Sequence, residues 1–313
     1  MLTYRNGSFH LMRVAGIDLY LHWSWFVVAL IEIEIRRGNY HSVVWNVLEY
    51  LALFAIVLLH EFGHALACRQ VGGTANKIML WPLGGVAYVD PPQRPGATLW
   101  SIAAGPLVNV ALFPVLLGAS IAALHMGWQY TNLDAYRFLT NLVWLNGMLF
   151  VFNMLPVYPL DGGKIVWSLL WFWMGRARSL LVSSWLGVAG TAGLLLLGLW
   201  WRSIWTIVIA AYMGMSCWRS IQYARELVKL ERMPRREEFK CPSCGVAPPI
   251  GEFWRCDLCG GMFDTFATGA VCPHCQKRHP GTGCPICGRM AMMTDWTAQP
   301  KWVGTAVAHE ERQ

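Results

Sequence analysis

Long apolar runs alternate with short polar stretches through the first two thirds of the chain, and the pattern stops near position 219. About twenty apolar residues let an α-helix cross a bilayer. Six such spans are predicted, at residues 17–35, 44–68, 97–125, 138–157, 180–200 and 203–218. Two segments between them do not fit. Residues 71–95 hold two short apolar runs broken by Pro82, Gly84 and Gly85. Non-helical backbone at membrane depth must be covered by protein or line a water cavity, so this stretch reads as a re-entrant or β-hairpin loop, with an ordinary interfacial loop as the alternative. Residues 165–173 are too short to span, and their aromatics suggest a helix lying in the interface. The last two spans join tightly at Trp201 and Arg202, as a helical hairpin does.

Composition strengthens this picture. Of the 313 residues, 55% are hydrophobic and 14% charged, against roughly 25% charged in soluble domains. Much of the net charge of +7 lies just after the last span, at Arg219, Arg225, Lys229, Arg232, Arg235, Arg236 and Lys240. That placement fits a cytoplasmic membrane flank better than a nucleic-acid surface. Six spans put both termini on one side, so both are predicted cytoplasmic. Residues 1–16, with Arg5 and Arg13, read as a cytoplasmic lead-in without the cleavage site of a signal peptide. The loop at 127–136 lacks Lys and Arg, as an outside loop would, whereas Arg36 and Arg37 fall on the predicted outer side against the positive-inside rule. The expected fold is an all-α polytopic protein of the cell membrane, residues 1–232, followed by a small cytoplasmic domain, residues 233–313.

The second span carries H-E-x-x-H as His60, Glu61 and His64. Histidines four apart share one helix face, so both rings can reach one zinc ion while Glu61 stands beside it as a general base. Catalytic zinc usually takes a third protein ligand. Asp161, on irregular backbone after Pro156 and Pro159, is the best candidate. A helix N-cap is its competing role. Zinc in such a triad acidifies water, and Glu61 would take the proton. A developing oxyanion then needs donors. Asn153, just before the proline break, is one candidate, a helix–helix hydrogen bond being its alternative.

Eight of the ten cysteines form four C-x-x-C pairs, Cys241/Cys244, Cys256/Cys259, Cys272/Cys275 and Cys284/Cys287. In a reducing compartment this spacing holds structural zinc as four thiolates per ion. Two ions are therefore expected, paired between sequence neighbours because those loops are shortest: Cys241 to Cys259, and Cys272 to Cys287. With no open position for water, the module is expected to recruit a substrate's tail. A redox role is the alternative, and Glu252, Asp257 and Asp264 make a poor footprint for nucleic acid. Cys68 and Cys217 read as packing residues.

Four stretches in order, H-E-F-G-H, P-L-G-G-V-A, A-G-P-L-V-N and N-M-L-P-V-Y-P-L-D-G-G-K, resemble the site-2 protease family of intramembrane zinc metalloproteases. The resemblance covers roughly residues 10–220. It implies that His60, His64 and Asp161 hold zinc, that Glu61 is the catalytic base and that Asn153 stabilises the transition state. It also implies that residues 80–86 offer strand edges to an unwound transmembrane segment of a membrane-protein substrate. The cysteine module departs from the domains that known members carry. A zinc transporter and a catalytically inactive, membrane-anchored zinc-ribbon binding protein are the other classes considered. Oligomeric state is not legible.

Overall fold

The computed structural model describes residues 7–36, 38–81 and 84–296. It divides by contacts into two units, Met1–Arg225 and Glu226–Gln313. The first opens with strands β1 (Ser8–Val14) and β2 (Ile17–His22), helix α1 (Ser24–Ile35) and the long helix α2 (Val43–Gln70). Strands β3 (Thr74–Trp81) and β4 (Gly84–Asp90) follow, then α3 (Pro95–His125), the one-turn α4 (Trp128–Thr131), α5 (Leu133–Asn153), α6 (Asp161–Met174), α7 (Arg176–Trp200) and α8 (Ile204–Arg232).

The four strands make one sheet in the order β1-β2-β3-β4, antiparallel except for the parallel β2–β3 pair, which α1 and α2 connect. The fold is thus mostly helical with a mixed sheet, rather than all-α with one hairpin. The predicted first span is corrected accordingly. In I-D-L-Y-L-H the residues Ile17, Leu19 and Leu21 are buried while Asp18, Tyr20 and His22 are not. That is the period-two alternation of a strand with one covered face. What remains of the run is α1, twelve residues, about 18 Å of helix against a hydrocarbon core of about 30 Å. Residues 71–95, expected as a re-entrant or β-hairpin loop, hold the β3–β4 hairpin; Pro82 and Leu83 lie outside the described residues. The sheet's inner face, including Ile17, Leu19, Ile78 and Leu80, packs on Val57, Ala65 and Cys68 of α2.

Among the described residues, four helices are long and apolar enough to cross a membrane: α2, α3, α7 and α8. Helix α5 has twenty-one residues, but Arg137, Asn141 and Asn146 dilute its apolar character. The asparagines have specific work. Asn141 donates to Glu49 of α2 at 2.9 Å and Asn146 bonds to α3. Glu49, only 4% exposed, also accepts from Arg36 at 2.6 Å and from Tyr40. Arg36, which ran against the positive-inside rule in the expected topology, is the partner of a carboxylate inside the bundle. A buried charge is tolerated when it is paired and hydrogen-bonded. Arg37 lies outside the described residues.

Helix α6 holds the predicted interfacial segment and begins at Asp161. Helices α2 and α3 approach closely, because a β-carbon on Gly63 would stand 2.7 Å from the carbonyl oxygen of Ala104.

The second unit contains two short hairpins, β5 (Trp254–Arg255) with β6 (Met262–Phe263) and β7 (Gly281–Gly283) with β8 (Met290–Met292), closed by a 3-10 turn at Met293–Trp296. Its small core gathers Trp254, Phe263, Phe266, Ile286 and Trp296 around buried cysteines. Lys240 donates its amide to Trp296 at 2.9 Å, which ties the start of the module to its end. Trp302 lies outside the described residues.

Candidate metal centre

His60 and His64 stand one turn apart on α2, both buried, and Asp161 opens α6 against them. Their facing atoms form a nearly regular triangle. Nε2 of His60 and Nε2 of His64 are 3.1 Å apart, and Oδ2 of Asp161 lies 3.1 Å from the first and 3.2 Å from the second. Zinc bonds of about 2.0–2.1 Å at tetrahedral angles separate adjacent ligand atoms by about 3.3 Å. The three donors therefore suit a tetrahedral ion with one position left over.

The far side of each ring is tied down. His64 Nδ1 lies 2.9 Å from the carbonyl oxygen of Ser101, and His60 Nδ1 lies 2.6 Å from Oδ1 of Asn109. Such partners fix ring orientation and direct Nε2 at the metal. Ser101, Gly105 and Asn109 recur every four residues on α3, so one face of that helix backs the site. A-G-P-L-V-N thus places Gly105 and Asn109 at the site as well as marking the resemblance. The four-residue spacing back to Ser101 was the signal for its role at the site. Asn146, also unforeseen, donates to the main-chain oxygen of Asn109 at 2.9 Å.

Glu61 is buried beside the triad and accepts a hydrogen bond from the Ala87 amide of β4 at 2.8 Å. Gly85 makes room for it, since a β-carbon there would fall 2.6 Å from Oε1. Asp161 owes its place to the turn before α6. Added β-carbons on Gly162 and Gly163 would meet the main chain of Met154 and Val157 at 2.4–2.6 Å, so only glycines let the helix start this tightly against the end of α5. Lys164 Nζ stands 3.9 Å from the other carboxylate oxygen of Asp161. A cleft of about 370 Å³ opens over these groups, lined by Glu61, His64, Asp161, Lys164, Trp167 and Arg176 among others. Asn153 closes α5, half-buried, and is not among the described residues that line the cleft. Other carboxylates of this unit are engaged elsewhere or lie along the cleft: Asp134 pairs with His41 at 2.9 Å, Asp18 with His10 at 3.4 Å, and Asp90, the last residue of β4, lines the cleft.

In the second unit the eight cysteines gather as two foursomes, Cys241/Cys244/Cys284/Cys287 and Cys256/Cys259/Cys272/Cys275. The expected pairing of sequence neighbours is corrected: the outer pairs share one site and the inner pairs the other. Closure cost grows only with the logarithm of loop length, so the two pairings differ by about 1 kcal/mol. Burying one large aromatic side chain is worth about 1.5–3 kcal/mol, and the nested arrangement wraps several around one core. Sulfur separations of 3.7 and 3.9 Å in the outer site and 3.6 and 3.7 Å in the inner match the edge of about 3.8 Å of a tetrahedron with 2.3 Å zinc–sulfur bonds. Each pair sits on the same turn. The amide four residues after the first cysteine donates to that cysteine's carbonyl, as Gly245 does to Cys241 at 2.8 Å and Gln276 to Cys272 at 2.9 Å. The turn requires positive φ, which explains Gly245, Gly260 and Gly288; Gln276 adopts it at 60°.

Two imidazoles and a carboxylate at zinc spacing, with the Glu61 carboxylate held beside them and membrane-length helices around them, make a candidate metal centre of the kind membrane-embedded metalloproteases use. The model of peptidase family M50 matches residues 49–128 and 116–197. A zinc metalloprotease of Methanocaldococcus jannaschii is 34% identical over 211 residues, covering 66% of this chain and 58% of that protein. Stage IV sporulation protein FB of Bacillus subtilis is 36% identical over 122 residues, 38% of this chain and 39% of its own. The solved structure of the site-2 protease from Methanocaldococcus jannaschii superposes with a TM-score of 0.52 at 30% identity, covering 68% of this chain and 95% of that one. The chain belongs to the site-2 protease family of zinc metalloproteases, peptidase family M50.

Proposed function

We propose that this chain is an intramembrane zinc metalloprotease that hydrolyses peptide bonds within or near transmembrane segments of other membrane proteins. One observation carries the reading: the His60, His64 and Asp161 donors converge at zinc spacing while Glu61 is held beside them. A transporter needs ligands but no such fixed base.

Zinc held by His60, His64 and Asp161 would supply a Lewis acid that polarises a carbonyl and makes water more acidic. Glu61 takes the proton from the attacking water and returns it to the leaving amine. The Ala87 amide holds one carboxylate oxygen of Glu61 and leaves the other for the reaction. Asn153 is proposed as a donor to the developing oxyanion, brought into use as substrate fills the end of α5. A helical substrate hides its carbonyls in its own hydrogen bonds, so the scissile segment must unwind. The outer edge of β4 beside the cleft, where the Ala87 amide is taken up by Glu61, suits an added extended strand.

The two cysteine foursomes are proposed to hold one structural zinc each, alongside one catalytic zinc in the membrane unit. Closed four-thiolate sites support a recruiting role, raising the concentration of a substrate's tail. The basic run from Arg219 to Lys240 supports cytoplasmic termini in a multi-pass protein. The test is Glu61→Gln in cells with a co-expressed single-span substrate. Zinc should stay bound while cleavage falls by several orders of magnitude, and crosslinking should capture the uncleaved partner. Normal cleavage by that variant would refute the protease reading.

A further inference from the structure

Two amides lie behind the metal ligands with almost no exposure, Asn109 at 1% and Asn146 at 0%. An unmet hydrogen-bonding group buried there costs about 1–3 kcal/mol, so each end of each amide needs the right partner. The chain of partners has one consistent direction. Asn146 Nδ2 lies 2.9 Å from the main-chain oxygen of Asn109, which can only accept. The opposite end of that amide, Oδ1, therefore faces Asn109 and accepts from its Nδ2 at 2.8 Å. Asn109 is left presenting Oδ1 to His60 Nδ1 at 2.6 Å. An amide oxygen only accepts, so Nδ1 must carry the hydrogen, and Nε2 of the neutral ring must present its lone pair to the triad.

We infer that Asn109 and Asn146 form a one-way relay that starts from the Asn109 carbonyl and fixes the His60 tautomer, making both asparagines positioning residues for the metal centre. The inference rests on reading His60 as a metal ligand. His64 needs no such device, because Ser101 offers its ring a main-chain oxygen directly at 2.9 Å. The two ligands therefore differ: one is set by backbone alone, the other by side chains from α3 and α5. The relay also gives α5 a hold on a ligand carried by α2.

The test uses the full chain in detergent, depleted of metal and titrated with zinc against a chromophoric chelator. A His60→Ala variant identifies the binding that depends on this site. Asn109→Leu and Asn146→Leu should each raise the zinc Kd of the His60-dependent site on the order of ten- to a hundredfold, the usual effect of losing an outer partner. Asn146→Asp, neutral when buried this deeply, keeps an acceptor for Asn109 Nδ2 and an O–H donor for the Asn109 carbonyl, so Asn109 stays oriented and the affinity should remain within a few-fold of wild type. Cobalt bound at the same site should show altered visible bands in the leucine variants and wild-type bands in Asn146→Asp. Lower thermal stability with unchanged zinc affinity in the leucine variants would overturn the relay, leaving a helix-packing role. An Asn146→Asp variant as weak as Asn146→Leu would overturn its direction. Absence of His60-dependent zinc in the wild type would instead bring down the metal-site reading itself. Should Asn109→Leu fail to fold, the two Asn146 variants decide the matter.

Discussion

Gly105 of α3 faces His64 so closely that a β-carbon there would stand 2.3 Å from Nε2, and 2.8 Å from Nε2 of His60. The position must stay empty for the ligand atoms to meet a metal. Glycine within a helix is otherwise a liability of about 1 kcal/mol relative to alanine. We therefore expect Gly105→Ala to lose His60-dependent zinc and at least a hundredfold in proteolysis, while thermal stability of the metal-free chain falls only modestly, the helix gain partly offsetting an overpacking cost of about 1–3 kcal/mol. Metal analysis beside a melting curve separates the two effects. Retention of zinc would show that the helices shift to absorb the methyl group.

Asp161→Ala should lower zinc occupancy of the membrane site, and Asp134→Ala should not. Asp161 Oδ2 completes the triangle with both imidazoles, whereas Asp134 accepts from the main chain and ring of His41. Three protein ligands are the usual minimum for catalytic zinc, so removal of one should cost affinity by orders of magnitude. Zinc counted in each variant against wild type, with the cysteine sites filled in all, gives the answer.

That His60, His64 and Asp161 would come together was legible because they sit in short motifs: the i, i+4 histidines declare themselves, and the prolines before Asp161 mark irregular backbone. What holds those ligands was harder to see. Asn109 and Asn146 come from different helices, and Ser101 acts through a main-chain oxygen that carries no side-chain signature. The first predicted span failed for a related reason. Hydropathy summed over residues 17–35 hides the alternation of Ile17, Leu19 and Leu21 that makes β2 a strand. Partner choice among the cysteines was likewise invisible, since spacing fixes each turn but only a shared core decides which turns meet.

Asp264 organises the loop between the inner cysteine pairs. Oδ2 accepts from Arg236 at 2.7 Å and the Gly251 amide at 3.0 Å, and Oδ1 accepts from the amides of Phe266 and Ala267, both at 3.1 Å. Burial pushes its carboxyl up, but Arg236 and the backbone donors outweigh this and hold it below the ordinary value. A carboxyl depressed by folding stabilises at every pH above its unfolded value of about 3.9 and loses that effect as the pH falls through the folded value. Asp264→Asn turns a donor toward donors and should cost roughly 2 kcal/mol. Hydrogen exchange across residues 251–270 of the zinc-loaded chain should then speed up about thirtyfold at pH 7. The gap from wild type should persist to pH 5 while zinc stays bound. A gap that closed between pH 7 and 5 would assign the effect to another group.

The nested cysteine pairing makes a prediction that the sequential pairing contradicts. Cys241 and Cys287 face each other at 3.7 Å in the outer foursome, while Cys256 belongs to the inner one. Losing one thiolate should open a four-thiolate site, and a second loss from the same site should remove nothing more. In the full chain, Cys241→Ser and Cys287→Ser together should therefore release one zinc, and Cys241→Ser with Cys256→Ser should release two. Sequential pairing demands the reverse, because it puts Cys241 and Cys256 in one site and Cys287 in the other. Order of release adds a second readout. Cys259 of the inner site is exposed, whereas every outer-site cysteine is buried or half-buried. Thiolates are reached through exposure, so a chelator should strip the inner zinc first. Each zinc lost should loosen the core around Trp254 and Trp296, since a module this small depends on metal for its fold. Simultaneous release of both ions would mean that the two sites share one unfolding transition.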